Sequence, residues 1–387
     1  MAASMRVWII DDTMSEAEAR TFVPLPADLA VSTPDDDDFS DRLDELWDLI
    51  LVDENLGKQP GATPAVFDGS SLVGWLRAEA RRSGRQLPCV AIFTTQPDLF
   101  DKEVPAVGPA RPIGGSFVGR EAHLAPVLDV EWLFAKNGDE KAIIASKISS
   151  LAFAQEAARI QFGANGASFD ELVAFLGLGA NLAWRASAIS SVERARPPVS
   201  EAMGNAATFR GPVSAVRWLI HETLPYPGAF LSDDQVATRL GVTPNALNAL
   251  IRDLATDWSR ALSEAVYRGP AASLFPRRWW AAGVADASLT VAIAVREGQD
   301  KKQVLQALSG SDDVALLRER DPVAIVNGDM IDAGIAPASK CVQLRPRGWP
   351  PQCEEPWMRI TEAASAPWFR HMIDPSDQPL LDAPADE

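Results

Sequence analysis

The chain has 387 residues, 47% of them apolar, and a formal net charge of −17. That length suggests two or three domains with ample core-forming material, and the absence of any apolar run long enough to span a bilayer argues against a membrane partner. Acids follow at once on "MAASMRVWII", so no secretory signal is read there and the expected location is cytoplasmic.

Three cysteines (Cys89, Cys341, Cys353) form no close pair, and three histidines (His123, His221, His371) lie far apart. Neither a disulfide framework nor a zinc site is expected. The charge is uneven: residues 1–150 hold 25 acids against 14 bases. Such a surface repels nucleic acid and favours basic protein partners or divalent cations.

In chain order, "MRVWIIDD" (5–12) reads as a buried strand ending in two acids. "SEAEARTFV" predicts a short helix capped by Ser15, and "LAVSTP" (29–34) a second strand. "DDDDFSDRLDELWD" predicts a helix with Leu43, Leu46 and Trp47 on one face. "LILVD" is the third strand, ending at Asp53, and a Gly/Pro-rich loop follows. "DGSSLVGWLRAEARRSG" predicts an amphipathic helix with Leu72, Trp75, Leu76 and Ala80 on its apolar face and Gly84 at its end. "LPCVAIFTT" (87–95) is the fourth strand, residues 96–122 carry no helical period, and "VLDVEWLFAKN" (127–137) is the fifth strand. The helix "DEKAIIASKISSLAFAQEAARIQ" closes the unit. Apolar strands without alternation, separated by helices, predict an α/β fold: a five-stranded doubly wound parallel sheet over residues 5–157.

Residues 158–300 read as a helical region holding, from about 205, a helix-turn-helix or winged-helix-like unit. There Ser232 caps "DDQVATRL", Gly241 ends it, and Thr243-Pro244 starts "PNALNALIRDLA". "SLFPRRWWAAGV" and "LTVAIAV" are candidates for a wing or a third packing layer. Residues 301–375 predict a small β-rich module, and 376–387 a disordered acidic tail. The tryptophans Trp279, Trp280, Trp349, Trp357 and Trp368 read as core or interface residues.

The chemistry-bearing residues fall at strand ends: Asp11 and Asp12 after strand one, Asp53 after strand three, Thr94 or Thr95 after strand four, Lys136 after strand five. A parallel sheet brings these ends to one edge, where ligands bind in such folds. Carboxylates crowded together need a cation, most naturally Mg2+ with its preference for oxygen ligands. Were Asp53 to attack a phosphoryl group, the ion would neutralise transition-state charge, Lys136 would pair with Asp53 or the phosphate, and a threonine hydroxyl would bond a phosphoryl oxygen.

On these residues the first 150 positions resemble the response-regulator receiver family, with Asp11-Asp12, Asp53, Thr94 (or Thr95) and Lys136 in the family's order and "DGSSLVGWLRAEARRSGRQLP" similar to its third helix. The resemblance implies a flavodoxin-like strand order and Asp53 as acceptor of a phosphoryl group from a partner histidine kinase. It also implies Mg2+ held by Asp11, Asp12, Asp53 and the backbone carbonyl of Asn55. No enzyme activity is implied beyond self-phosphorylation and slow dephosphorylation. Departures stand beside it: Gly57 and Asn137 occupy places where the family usually has proline, and 96–122 replaces the usual fourth helix.

Two alternatives accompany this reading. One is a non-phosphorylated receiver-fold scaffold, since the architecture looks somewhat like multi-domain receiver proteins of bacterial conflict loci. The other is a DNA-binding regulator, with Asn245, Asn248 and Arg252 offered outward and Arg277 and Arg278 near phosphates. Residues 201–300 are close to neutral, with 9 bases and 10 acids, which does not favour nucleic acid.

Overall fold

The computed structural model describes residues 5–23, 26–56, 68–85, 87–95, 125–126, 128–137, 140–162, 168–198, 212–252, 254–328, 330–346, 349–365 and 367–382. The loop after Leu56 and the irregular 96–122 stretch therefore lie outside the described residues.

Five strands, β1 (Met5–Ile10), β2 (Ala27–Ser32), β3 (Leu49–Val52), β4 (Cys89–Thr94) and β5 (Trp132–Ala135), form one parallel sheet in the order β2-β1-β3-β4-β5. Alternate side chains enter different cores. Val7, Ile9, Leu51, Phe93 and Phe134 face the helix α4 (Lys141–Gln161) side. Trp8, Ile10, Val52, Ile92 and Leu133 pack with Leu72, Val73 and Leu76 of α3 (Gly69–Arg82). Burial on both faces is why each strand reads as an unbroken apolar run.

The short helices differ from expectation. After α1 (Glu16–Ala19), α2 is a single turn, Phe39–Arg42. Leu46, expected on a buried helical face, is 69% exposed, because the chain has already turned towards β3. Trp47 stays inside, donating its indole N–H to the Arg42 carbonyl (2.8 Å), with its ring tilted against that of Trp8 at 5.9 Å. Strand β5 is four residues rather than the eleven of 127–137, since Asp129 adopts φ 56°, which a strand cannot contain.

Helix α4 runs 21 residues, and its buried set continues into α5 (Phe169–Phe175), α6 (Arg185–Arg194) and α7 (Pro212–Arg217) without a break in the apolar core. A wide π turn, Trp218–Thr223, follows α7. Strands β6 (Phe230–Ser232) and β7 (Arg278–Trp280) pair antiparallel around α8 (Asp233–Leu240), α9 (Pro244–Arg252) and α10 (Asp257–Glu264). Gly241 ends α8 at φ 68°, the left-handed cap its sequence position predicts. Trp279 and Trp280 are buried, with Phe230 4.4 Å from Trp280.

"LTVAIAV" is not a wing. It lies inside α11 (Ala281–Arg296), where an alanine-rich run favours helix and buries Val291 while Leu289 and Ile293 face out. After α12 (Lys301–Ser309), strands β8 (Pro322–Val326), β9 (Asp332–Pro337), β10 (Cys341–Gln343) and β11 (Trp357–Arg359) form a second sheet, ordered β10-β11-β8-β9. Helix α13 (Ile360–Ser365) follows. The expected disordered tail contains one further turn of helix, α14 (Gln378–Asp382), preceded by Asp377, whose carboxylate accepts the Gln343 N–H at 2.8 Å. Among the described residues, no helix is long and apolar enough to cross a membrane.

Candidate functional site

Backbone hydrogen bonds extend past the strands and fix the residues that follow them. The Asp11 N–H donates to Ser32 O (3.0 Å), the Asp53 N–H to Ile10 O (2.9 Å), and the Lys136 N–H to Thr94 O (2.7 Å). Asp11, Asp53, Thr94 and Lys136 thus share one sheet edge, as the sequence predicts. Asp11 is 2% exposed and Asp53 6%. Thr94 is fully buried as the last residue of β4, whereas Thr95 is exposed.

Lys136 bridges two of the acids. Its ammonium donates to Asp11 Oδ2 at 2.6 Å and to Asp53 Oδ1 at 2.9 Å, and lies 5.0 Å from the centre of the Phe93 ring. Asp11 Oδ1 also accepts the Thr13 N–H (2.9 Å), the Met14 N–H (2.9 Å) and the Thr13 hydroxyl (3.0 Å). Burial works against ionisation of Asp11, but Lys136 and Thr13 outweigh it and hold this carboxyl below its usual range. Asp53 goes the other way: burial raises it, the Lys136 ammonium offsets only part, and the Asp11 charge adds to the rise.

Asp11, Asp12 and Asp53 each present one carboxylate oxygen, all within 4.8 Å of one another. Three hard oxygen donors at this spacing fit a small divalent cation, and Lys136 brings a single positive charge to the two acids it bridges. Asn55 is half-buried in the turn after β3, and its backbone N–H bonds the Asp53 carboxylate.

Two residues of this edge escape sequence reasoning. Glu54 accepts the Ser70 N–H (3.0 Å) and hydroxyl (3.1 Å), tying the start of α3 to the end of β3. Burial, then the Asp68 charge, push it up to about 7. Gly69 follows the N-cap Asp68, whose carboxylate accepts the Ser71 N–H. A Cβ on Gly69 would stand 2.2 Å from Asp53 O and 2.9 Å from Glu54 Cα. Gly69→Ala therefore has to displace backbone. The expected cost is about 1–3 kcal/mol in a urea melt, together with weaker Mg2+ binding, since the shifted backbone carries Asp53. An unchanged melt and unchanged metal affinity would show that the close approach is not required.

At the opposite end of β5, Glu131 is fully buried. Its carboxylate meets Arg77 of α3 (3.0 Å), Arg217 of α7 (3.2 Å) and the Val90 N–H. Asp129 joins both arginines, at 3.3 Å and 2.6 Å. The His221 Nε2–H donates to the Glu131 carbonyl at 2.9 Å, and burial lowers this histidine from 6.5 to about 4. Between about pH 4 and 6.5 the unfolded chain then binds the proton and the folded chain does not, so stability falls as pH drops through that window. The full linkage is on the order of 3 kcal/mol. His221→Gln removes the titration while offering an N–H to the same carbonyl. Its stability, from urea midpoints at several pH values, should decline less steeply from pH 7 to 4.5; parallel curves would contradict a buried neutral His221.

The candidate nucleic-acid contacts divide. Asn245, Asn248 and Arg252 are exposed on α9. Arg277 instead clamps Asp233 with two 2.8 Å bonds and donates a third to Asn248 Oδ1 (2.8 Å). Arg278 donates to Leu224 O (2.9 Å) and Asp332 (3.0 Å). Both guanidiniums are thus engaged within the fold rather than presented to phosphates. No family model matches the chain, and no curated protein matches it.

Proposed function

We propose that the chain is a response-regulator-like switch in which Asp53 accepts a phosphoryl group. The observation that carries this reading is the arrangement at one sheet edge: three carboxylates within 4.8 Å, with Lys136 bridging Asp11 and Asp53. The strand order β2-β1-β3-β4-β5 and the fully buried Thr94 support it.

Asp11, Asp12 and Asp53, with the Asn55 carbonyl, would hold Mg2+, which when bound neutralises charge on the transferring phosphoryl group. An Asp53 oxygen forms the new bond to phosphorus as the bond to the donor breaks. From a histidine kinase the leaving group is imidazole, which departs with the bonding electrons and takes up a proton. Lys136, already within hydrogen-bond reach of Asp53, exchanges one carboxylate oxygen for a phosphoryl oxygen. The Thr94 hydroxyl follows the phosphoryl group, and its movement alters the face around β4 and β5. In this reading the winged-helix-like unit expected over about 205–300 is the output and the second sheet belongs to a β-rich module.

A second reading, a non-phosphorylated scaffold in a larger complex, is favoured by the apolar core that runs unbroken from the sheet into α5, α6 and α7. Incubation with acetyl phosphate and Mg2+, followed by intact mass, separates the two. One added phosphoryl group, lost with EDTA and in Asp53→Ala, is expected; no added mass favours the scaffold.

A further inference from the structure

A cleft of about 580 Å3 lies between the α8 end of the helical unit and the second sheet. Five carboxylates line it (Asp233, Asp234, Asp332, Glu354, Glu355) against three guanidiniums (Arg239, Arg277, Arg278). All three guanidiniums are already paired with acids of the same cleft: Arg277 with Asp233, Arg278 with Asp332, Arg239 with Glu354. Glu355 pairs with Arg345 at its edge.

Asp234 differs. It is half-buried in the first turn of α8, and its carboxylate accepts one bond, from the Gly334 N–H at 3.0 Å. Among the described residues no cation pairs with it. Burial and then the charges of Asp332 and Asp233 hold its carboxyl above the usual range, as expected of an acid that lacks a counter-ion. The aromatic residues Tyr226, Trp349 and Trp357 line the same cleft, with Tyr226 and Trp349 edge to face at 4.8 Å. Aromatic faces and a carboxylate together attract a cation, and the volume suits a small molecule.

We propose that this cleft binds a small organic cation, an amine or guanidinium on a short aliphatic or aromatic body, with Asp234 as counter-ion and Tyr226, Trp349 and Trp357 as walls. A free metabolite and a Lys or Arg side chain of a partner share this chemistry. An anionic ligand is disfavoured, because among the described residues every guanidinium lining the cleft is committed and the lining acids outnumber them.

The test is calorimetric titration of the full chain at low ionic strength with agmatine, benzylamine and a capped lysine dipeptide. One-site saturable binding of at least one of them is expected, weakened about tenfold by Asp234→Asn, the loss of one charge-assisted contact. Asn keeps an oxygen for the Gly334 N–H, so the fold is retained, and Trp349→Leu serves as a second variant that weakens binding without touching the charge. Tighter binding of the free amines marks a metabolite site, and tighter binding of the dipeptide marks a partner's side chain. Absence of binding, binding unchanged in Asp234→Asn, or preferential binding of AMP or inorganic phosphate would each overturn the proposal.

Discussion

Lys136→Met will lower the stability of the metal-free chain by about 3–5 kcal/mol, the range for removing one partner of a buried ion pair. Its side chain is only 9% exposed, and the side chains of the acids it bridges are 1% and 8% exposed. Without the ammonium, Asp11 and Asp53 confront each other with no counter-charge, and one of them has to take up a proton. The deficit should therefore shrink as pH falls, because Asp53, already raised by burial, protonates first. Mg2+ should also restore part of it. A ligand that binds only the folded state adds about 2.7 kcal/mol at a hundred times its Kd. Urea melts of wild type and Lys136→Met, with and without Mg2+, read both effects. If the variant loses less than about 1 kcal/mol, as an exposed pair would, the carboxylates are not held apart from solvent as described.

Glu131→Ala should be comparably damaging, about 3–5 kcal/mol, for a different reason. It strips a fully buried carboxylate from between Arg77 and Arg217 and leaves the Val90 N–H without its acceptor. Asp129 still offers both arginines a partner, so the loss is that of a buried charge network rather than of two isolated ions. Glu131→Gln keeps an acceptor for Val90 and should cost less. The two arginines sit on α3 and α7, so hydrogen exchange should quicken in both segments at once and in the π turn carrying His221. Faster exchange in α3 alone would show that Glu131 does not join the sheet to the helices beyond it.

These two sites show what the sequence discloses and what it hides. Asp11 and Lys136 are 125 residues apart, yet their meeting is legible, because both follow apolar runs and parallel strands deliver their ends to one edge. The α8 boundaries are legible because Ser232 and Gly241 carry the chemistry of a helix start and stop. Glu131 gives only half a signal. An acid inside the apolar run "VLDVEWLFA" requires a partner, but nothing local points to Arg77 or Arg217. Gly69 stays hidden because its role is a close approach of two backbones, and Glu54 because its carboxylate's partner, Ser70, lies beyond the intervening loop, and no residue pattern encodes either. "LTVAIAV" misleads because β-branched residues suggest a strand while the surrounding alanines sustain a helix and tertiary packing supplies the rest.

The most direct measurement of the central claim is chemical mapping of the phosphoryl group. The full chain is treated with acetyl phosphate and Mg2+, reduced with borohydride, digested and sequenced by mass spectrometry. An acyl phosphate on Asp53 is reduced to homoserine, so the peptide spanning Leu49 to Asn55 should carry homoserine at residue 53 and aspartate elsewhere. Aspartate retained at 53, or homoserine at Asp11 or Asp12 instead, would contradict the account.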